Sequence, residues 1–320
     1  MSNDKHTPPG NGKPVLSTAP DVLAGRGRRT VHLGDLLFGG SAQASSLIIV
    51  VVVLIIGAFL LGNAWQPLLD NTANFFASTT FDASSRPPHF GVAALLWITV
   101  LSSMIALLLT QYVGGRVSRW IGFVIDLLAA VPSVIFGLWG IKVLGPALQP
   151  VAHWIQAHLG WFPLFGSTQV TSPGTVFTAS LVLALMILPI ITAVTRDVFA
   201  QTPREQIEAA LALGATRWET IRMAVLPYGR SGATAAAMLG LGRALGETIA
   251  VMLILSASSF DVSVFSGGET FASVIARNAA EFDTTYKAGI YISAGLVLFV
   301  LTFAVNALAR IVAERGKAKS

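Results

Sequence analysis

EAALALGATRWETIRMAVLP, residues Glu208 to Pro227, is a polar, arginine-bearing stretch set between two long apolar runs. Its helical pattern begins upstream at Thr202-Pro203-Arg204-Glu205. There the threonine can cap the first free amide, proline suits a first turn, and the glutamate can reach back. Ile207, Ala210, Leu211 and Gly214 then share one face, with Glu208 offset from it. Gly214 permits the left-handed conformation that ends helices. Thr216-Arg217-Trp218-Glu219 repeats the capping-box pattern. The second helix presents Ile221 and Val225 and is expected to stop by Pro227. A helix–turn–helix held between apolar runs is shaped to be gripped by another protein. Similar units also serve DNA-binding proteins, but no separate soluble segment exists here to present a recognition helix to a groove.

Composition explains the surroundings. Of 320 residues, 53% are hydrophobic and 12% charged, against roughly 25% charged in soluble domains. Several apolar runs approach the roughly 20 residues needed to cross a hydrocarbon core of about 30 Å. The reading is an all-α integral membrane protein with six transmembrane helices, at about 47–65, 91–112, 121–144, 174–195, 229–257 and 287–310. Residues 1–34, rich in Pro, Gly, Asn and basic residues, read as a disordered cytoplasmic tail. Residues 35–46 are expected to lead into the membrane as a short surface helix, and 35–320 form the transmembrane domain. The first apolar run starts at Leu47, too far from Met1 for the core of a cleaved signal peptide. The absence of cysteine says nothing about redox compartment.

Sixteen Lys and Arg residues fall in the tail, the second-to-third loop, the fourth-to-fifth loop and the C-terminus, against four in the alternate loops. By the positive-inside rule both termini and the Glu208 stretch are cytoplasmic. The loop 145–173 carries His153, Trp154, His158, Trp161 and Phe162, a mixture that suits the headgroup region. Two histidines five apart do not match helical ligand spacing. Residues 258–285, acidic and rich in Ser and Gly, are expected to face outward. Asp126, near the cytoplasmic end of the third span, reads as an interfacial or helix-pairing group. Pro132 and Pro189 are expected to bend or break their spans.

One charged pair lies inside a span. In Gly240-Leu241-Gly242-Arg243-Ala244-Leu245-Gly246-Glu247-Thr248, Arg243 and Glu247 are four apart and would share a helical face. A charge at mid-bilayer costs about 3 kcal/mol on insertion scales, so such residues face a bundle interior or water. They could lock helices together or mark an anion path. An arginine fork donates paired hydrogen bonds to phosphate-like oxygens. Glu247 could hold the arginine in waiting, or accept from a protonated phosphate oxygen. No Gly-x4-Gly-Lys-Ser/Thr motif is present, so no ATP site is expected in this chain.

The pattern of Glu208, Ala209, Ala210, Gly214, Ala224, Leu226 and Pro227 resembles the EAA loop of ABC-importer permeases, with Ala224 departing from the more usual Ile or Val. The resemblance covers about residues 90–312. It implies a type I permease bundle whose cytoplasmic coupling helix docks into a cleft on an ATPase subunit. Gly240–Ile254 resembles the phosphate-specific permease subunits of these importers. Val131-Pro132-Ser133-Val134-Ile135-Phe136-Gly137-Leu138-Trp139-Gly140, with Ile249-Ala250-Val251-Met252, resembles the C-type subunit of the two. The resemblance implies Arg243 and Glu247 as substrate-pathway residues, with no catalytic residue and no metal. It also implies a second permease subunit, an ATPase dimer that binds ATP and Mg, an extracytoplasmic phosphate-binding protein, and a bacterial inner-membrane location. A permease for another small oxyanion, or the A-type partner subunit, stays open. A stand-alone secondary transporter would show inverted repeats and would leave the Glu208 stretch unexplained.

Overall fold

The computed structural model describes residues 33–85, 87–113, 128, 130–166, 172–256 and 258–317. The chain divides into two units, Met1–Val53 and Leu54–Ser320. The expected tail up to residue 32, Asp126, Arg116 and Arg119 lie outside the described residues. Helix α1 (Leu33–Asp70) is longer than the span expected from Leu47 and absorbs the proposed surface helix. The helices that follow are α2 (Ala93–Val113), α3 (Ser133–Trp139), α4 (Gly145–Leu159), α5 (Val176–Ala200), α6 (Arg204–Ala212) and α7 (Arg217–Thr220). After them come α8 (Leu226–Gly246), α9 (Ile249–Ile254), α10 (Phe271–Arg277) and α11 (Thr285–Lys317). One two-stranded antiparallel ribbon, β1 (Phe81–Asp82) with β2 (His89–Phe90), lies between α1 and α2 in the chain.

Among the described residues, four helical stretches are long and apolar enough to cross a membrane: Gln43–Asp70, Ser133–Leu159, Val176–Ala200 and Thr285–Leu308. Burial ranks them. Two-thirds of the α5 window is buried (67%), against none of the α1 window (0%). So α5 is the central helix, whereas the α1 window is exposed and burial on α1 comes later, at Ala64 and Pro67. Along α5, Val176, Ala179, Val182, Leu183, Ile187 and Ile191 form the spine of the main core. The helix packs on both α2 and α8, and α8 also packs on α11. Pro189 neither ends nor interrupts α5, which runs on to Ala200. Thr175 starts it by accepting from the Thr178 amide at 3.3 Å.

Helices in an apolar medium approach closely where small residues face each other. Gly229 faces Phe199, Gly232 faces Val198, and a Cβ on Gly240 would lie 2.6 Å from Ile191 Cδ1. These glycines give α8 one face fitted to α5. Gly242 and Gly246 differ, because a Cβ on either would meet nothing within 4 Å.

Two expectations for the spans are corrected. Of the third span, placed at 121–144, residues 121–127 and 129 lie outside the described residues, and the described part belongs to a longer helical run, Ser133–Leu159. Pro132 stands at its N-cap with φ −58° and ψ 141°, an extended geometry outside the helix. The supposed loop from 145 is therefore helical as far as Leu159. A π-turn, Gly140–Leu144, joins α3 to α4, and Pro146 follows in the first turn of α4. Residues 258–285 are likewise no plain surface loop. Val264 and Phe265 are buried, and α10 buries Phe271, Ala272, Ser273 and Val274. The alternation of small polar and apolar residues there hid a short helix packed into the bundle.

The two glycine faces of α8 should behave oppositely. Gly240→Val overpacks the α5 contact and should cost about 1–3 kcal/mol, lowering the melting temperature of the detergent-solubilised protein. Gly242→Val, two residues on and on the opposite side of the helix, should leave it close to the parent value. A fluorescence-monitored melt of both variants checks this.

Candidate functional site

The site has two parts, a knuckle after α5 and a helix break after α8. At the knuckle, Thr202 does not cap α6. Its Oγ1 donates back to Phe199 O at 2.8 Å. Pro203 holds the N-cap position at φ −55°, so Thr202 stands one residue too early to reach the first amides and closes the end of α5 instead. The turn at Gly214 is as expected, with φ +86°. The Ala215 amide reaches Ala210 O at 3.1 Å, and the Gly214 amide reaches Leu211 O at 3.0 Å. That pair of bonds is a Schellman closure, which satisfies the last carbonyls of α6.

The second cap forms as the spacing requires. Glu219 N donates to Thr216 Oγ1 at 3.3 Å, and Glu219 Oε2 accepts from Thr216 N at 2.8 Å. The backbone amide of Thr216, and then its hydroxyl, hold the Glu219 carboxyl below its ordinary range. Pro227 does not stop this helix. A π-turn, Ile221–Val225, carries it on into α8, with the Leu226 amide donating to Ile221 O. Pro227 falls in the first turn of α8. The wider turn tolerates its missing N–H and displaces the carbonyl its ring would strike.

No residue of α6 is buried. Glu208, Ala209, Leu226 and Pro227 are exposed, and Ala210 and Ala224 are half-buried. Large apolar side chains stand out beside them. Leu213 is 89% exposed, Met223 68% and Trp218 67%. These three contacts were not singled out by the sequence reading. The available signal was bulky apolar residues inside an otherwise polar stretch.

At the second part, α8 ends at Gly246, and Glu247 takes φ −68°, ψ 125°. Arg243 and Glu247 are therefore not successive turns of one helix, and no ion pair joins them. Glu247 Oε1 instead accepts from the Ala250 amide at 3.3 Å and caps α9. Thr248 Oγ1 donates to Gly246 O at 3.1 Å. Arg243 is exposed and has no hydrogen bond or ion pair among the described residues. It lies on the stretch of α8 where Gly242 and Gly246 leave open space. At a lipid-facing position that guanidinium would cost about 3 kcal/mol, so this face belongs to water or to another protein.

The stretch Val131–Gly140 acquires a structural role. A Cβ on Gly137 would lie 2.9 Å from Ala250 Cα, and one on Gly140 would lie 2.9 Å from Ile254 Cδ1. The two glycines admit α9 against α3 and so set the level of the break. Elsewhere on α4, the His158 ring stacks on Trp154 at 4.6 Å, and its Nδ1 lies 2.8 Å from Trp154 O. His153 is exposed. Among the described residues, neither histidine makes a hydrogen bond or ring contact with Arg243 or Glu247.

The family described as binding-protein-dependent transport system inner membrane component matches residues 98–317. The phosphate transport system permease protein PstC 2 of Mycobacterium tuberculosis is 53% identical over 302 residues, covering 89% of this chain and 93% of the relative. The phosphate transport system permease protein PstC of Mycobacterium leprae is 54% identical over 269 residues, covering 79% and 84%. An inward-facing structure of the MetNI methionine ABC transporter is similar at 16% identity, covering 71% of this chain and 94% of that one, with a TM-score of 0.49.

The knuckle cap should titrate with a definite sign. Because the Glu219 carboxyl is held below its ordinary range, its contribution is present above the unfolded carboxylate pKa and is lost as pH falls through the lower folded value. Amide-exchange protection at residues 217–220, corrected for intrinsic rates, should persist at pH 5 and fall in stronger acid. Glu219→Gln should lower protection already at pH 5 and flatten its pH dependence.

Proposed function

The chain belongs to the binding-protein-dependent transport system inner membrane component family, and from that premise we propose that it is the C-type permease subunit of an ATP-driven phosphate importer. It is a multi-pass membrane protein and a transport subunit rather than an enzyme. The observation that carries the reading is Arg243. It is a guanidinium exposed on a glycine-flanked face of α8, free of internal partners among the described residues. The phosphate permeases of the two mycobacteria, each more than half identical, support phosphate as the solute.

The geometry suits transient anion contact. An arginine fork matches two oxygens of a phosphate at once. Because Glu247 is engaged with α9 rather than with Arg243, the fork need not be freed from a partner before it meets the anion. The carboxylate, one residue past the end of α8, can accept from a protonated phosphate oxygen, a bond that fully ionised sulfate does not offer. The hold must stay shallow, because a deep well would trap the anion. A second permease subunit completes the pathway over the open face of Gly242, Arg243 and Gly246.

Force arrives through the knuckle. Glu208, Ala209, Ala210, Gly214, Leu226 and Pro227 frame a projection that enters a cleft on an ATPase subunit. Leu213, Trp218 and Met223 supply apolar area for that contact. The unbroken helical path from α7 through the π-turn into α8 carries a push at the knuckle to the residue that meets the anion. One knuckle per chain and two clefts per ATPase dimer call for a heterodimer of permeases. ATP and Mg bind the ATPase partner, and an extracytoplasmic binding protein delivers phosphate. The location is a bacterial inner membrane, with both termini and the knuckle in the cytoplasm.

In proteoliposomes holding the whole complex, Arg243→Gln should abolish labelled-phosphate uptake while assembly and ATP hydrolysis persist. Uptake at the parent rate would refute the pathway role. Gly214→Val meets a backbone at φ +86° that costs a branched side chain roughly 1–2 kcal/mol. It should leave ATP hydrolysis running with phosphate uptake reduced at least about tenfold, as expected when the loss is roughly 1.4 kcal/mol or more. Uptake per ATP equal to the parent would refute docking through this turn.

A further inference from the structure

We infer that Arg277, held by Glu269, is a positioning residue that fixes the α8–α9 break by gripping the far end of α9. The inference deepens the reading of Arg243 and Glu247 as pathway residues and rests on it.

A six-residue helix is too short to persist on its own, so the place of α9 is set by what surrounds it. Its first turn is closed by Glu247 itself, through the Ala250 amide. Its flank lies against Gly137 and Gly140. At its other end Leu255 leaves the helix with ψ 124°, and the last carbonyls are left without helical partners. Arg277 meets them there. One terminal nitrogen, Nη2, donates to Met252 O and to Leu255 O, each at 3.1 Å. A cation at a helix C-terminus is also favoured by the helix dipole.

Arg277 can act as a clamp because it is itself tied down. Its Nε donates to Glu269 Oε1 at 2.9 Å, which fixes the plane of the guanidinium and turns Nη2 toward both carbonyls. The Glu269 side chain is 22% exposed. Burial pushes its carboxyl above the ordinary range, and the Arg277 charge opposes that rise. The helix that carries the arginine is anchored in turn. Thr270 and Ser273 form a capping box, and the Phe271 amide donates to Thr99 Oγ1 of α2 at 3.1 Å. A continuous set of bonds thus runs from α2 through α10 and Arg277 to the end of α9, and through α9 to Glu247. The planar fork is what serves three acceptors at once. A lysine reaches one or two of them and loses the fixed plane.

The chain contains no cysteine, so Thr248→Cys places a single thiol of this subunit at the break. In the complete complex, its labelling rate by a small cationic thiosulfonate reports how firmly the break is held. Adding Arg277→Gln should raise that rate several-fold. In the Thr248 parent background, Arg277→Gln should cut phosphate uptake at least about tenfold, within the roughly hundredfold that an ångström of misplacement can cost. ATP hydrolysis should continue, and Arg277→Lys should fall between parent and Gln in both readouts. An unchanged labelling rate overturns the inference, whatever uptake does. A raised labelling rate with unchanged uptake upholds the clamp and refutes the pathway reading of the break. Should Arg277→Gln fail to assemble, Glu269→Gln keeps the arginine and the volume. It should shift labelling in the same direction by a smaller factor, and no shift overturns the inference.

Discussion

A peptide group left unpaired in hydrocarbon costs several kcal/mol, and the irregular points of this chain are organised around that cost. Where α8 stops at Gly246, Glu247 turns its carboxylate onto the Ala250 amide. Where α9 stops at Leu255, Arg277 supplies the missing donor. At the exposed knuckle, outside any hydrocarbon, the Gly214 turn closes the last carbonyls of α6 through Leu211 and Ala210. Pro146 and Pro227 each follow a π-turn, so a residue that lacks a donor and would ordinarily break a helix is carried within a longer helical path. The two charged residues of the break thus differ in duty. Glu247 completes backbone bonding, and Arg243 is exposed without a hydrogen bond or ion pair among the described residues.

The same division appears in the glycines of α8. Gly229, Gly232 and Gly240 exist for contact with α5, since a side chain there would collide with Phe199, Val198 or Ile191. Gly242 and Gly246 have no such contact to protect. Their emptiness lies beside an exposed guanidinium. The helix is thus tightly fitted on one side and open around a charge on the other.

Much of this was legible in the residues themselves. Gly214 announces a left-handed turn because few other residues tolerate it, and Thr216 with Glu219 announces a cap because the two bonds are local. The spans at α5 and α11 follow from apolar length. Three local readings differ from the structure because a helix starts, continues or ends one or a few residues away from where the pattern placed it. Thr202 was expected to cap α6, but Pro203 had already taken that position. Pro227 was expected to end a helix, but a π-turn absorbs it. Arg243 and Glu247 were expected to share a face, but the helix ends between them. Arg277 and Glu269 are eight residues apart in a stretch that reads as loop, and only the packing of α10 against α2 brings them to the end of α9.

The sequence by itself determined the membrane-spanning all-helical class, the knuckle with its glycine turn, and the placement of one arginine where no isolated charge is stable. These follow from local energetics: apolar length, capping bonds, backbone freedom and the cost of a charge in hydrocarbon. Tertiary structure alone decided that α5 is central, that Val131–Gly140 seats α9, and that the Arg243 face is open while the Gly240 face is closed. Those outcomes depend on which helix meets which at sub-ångström fit, a property of pairs of distant segments that composition and periodicity do not encode.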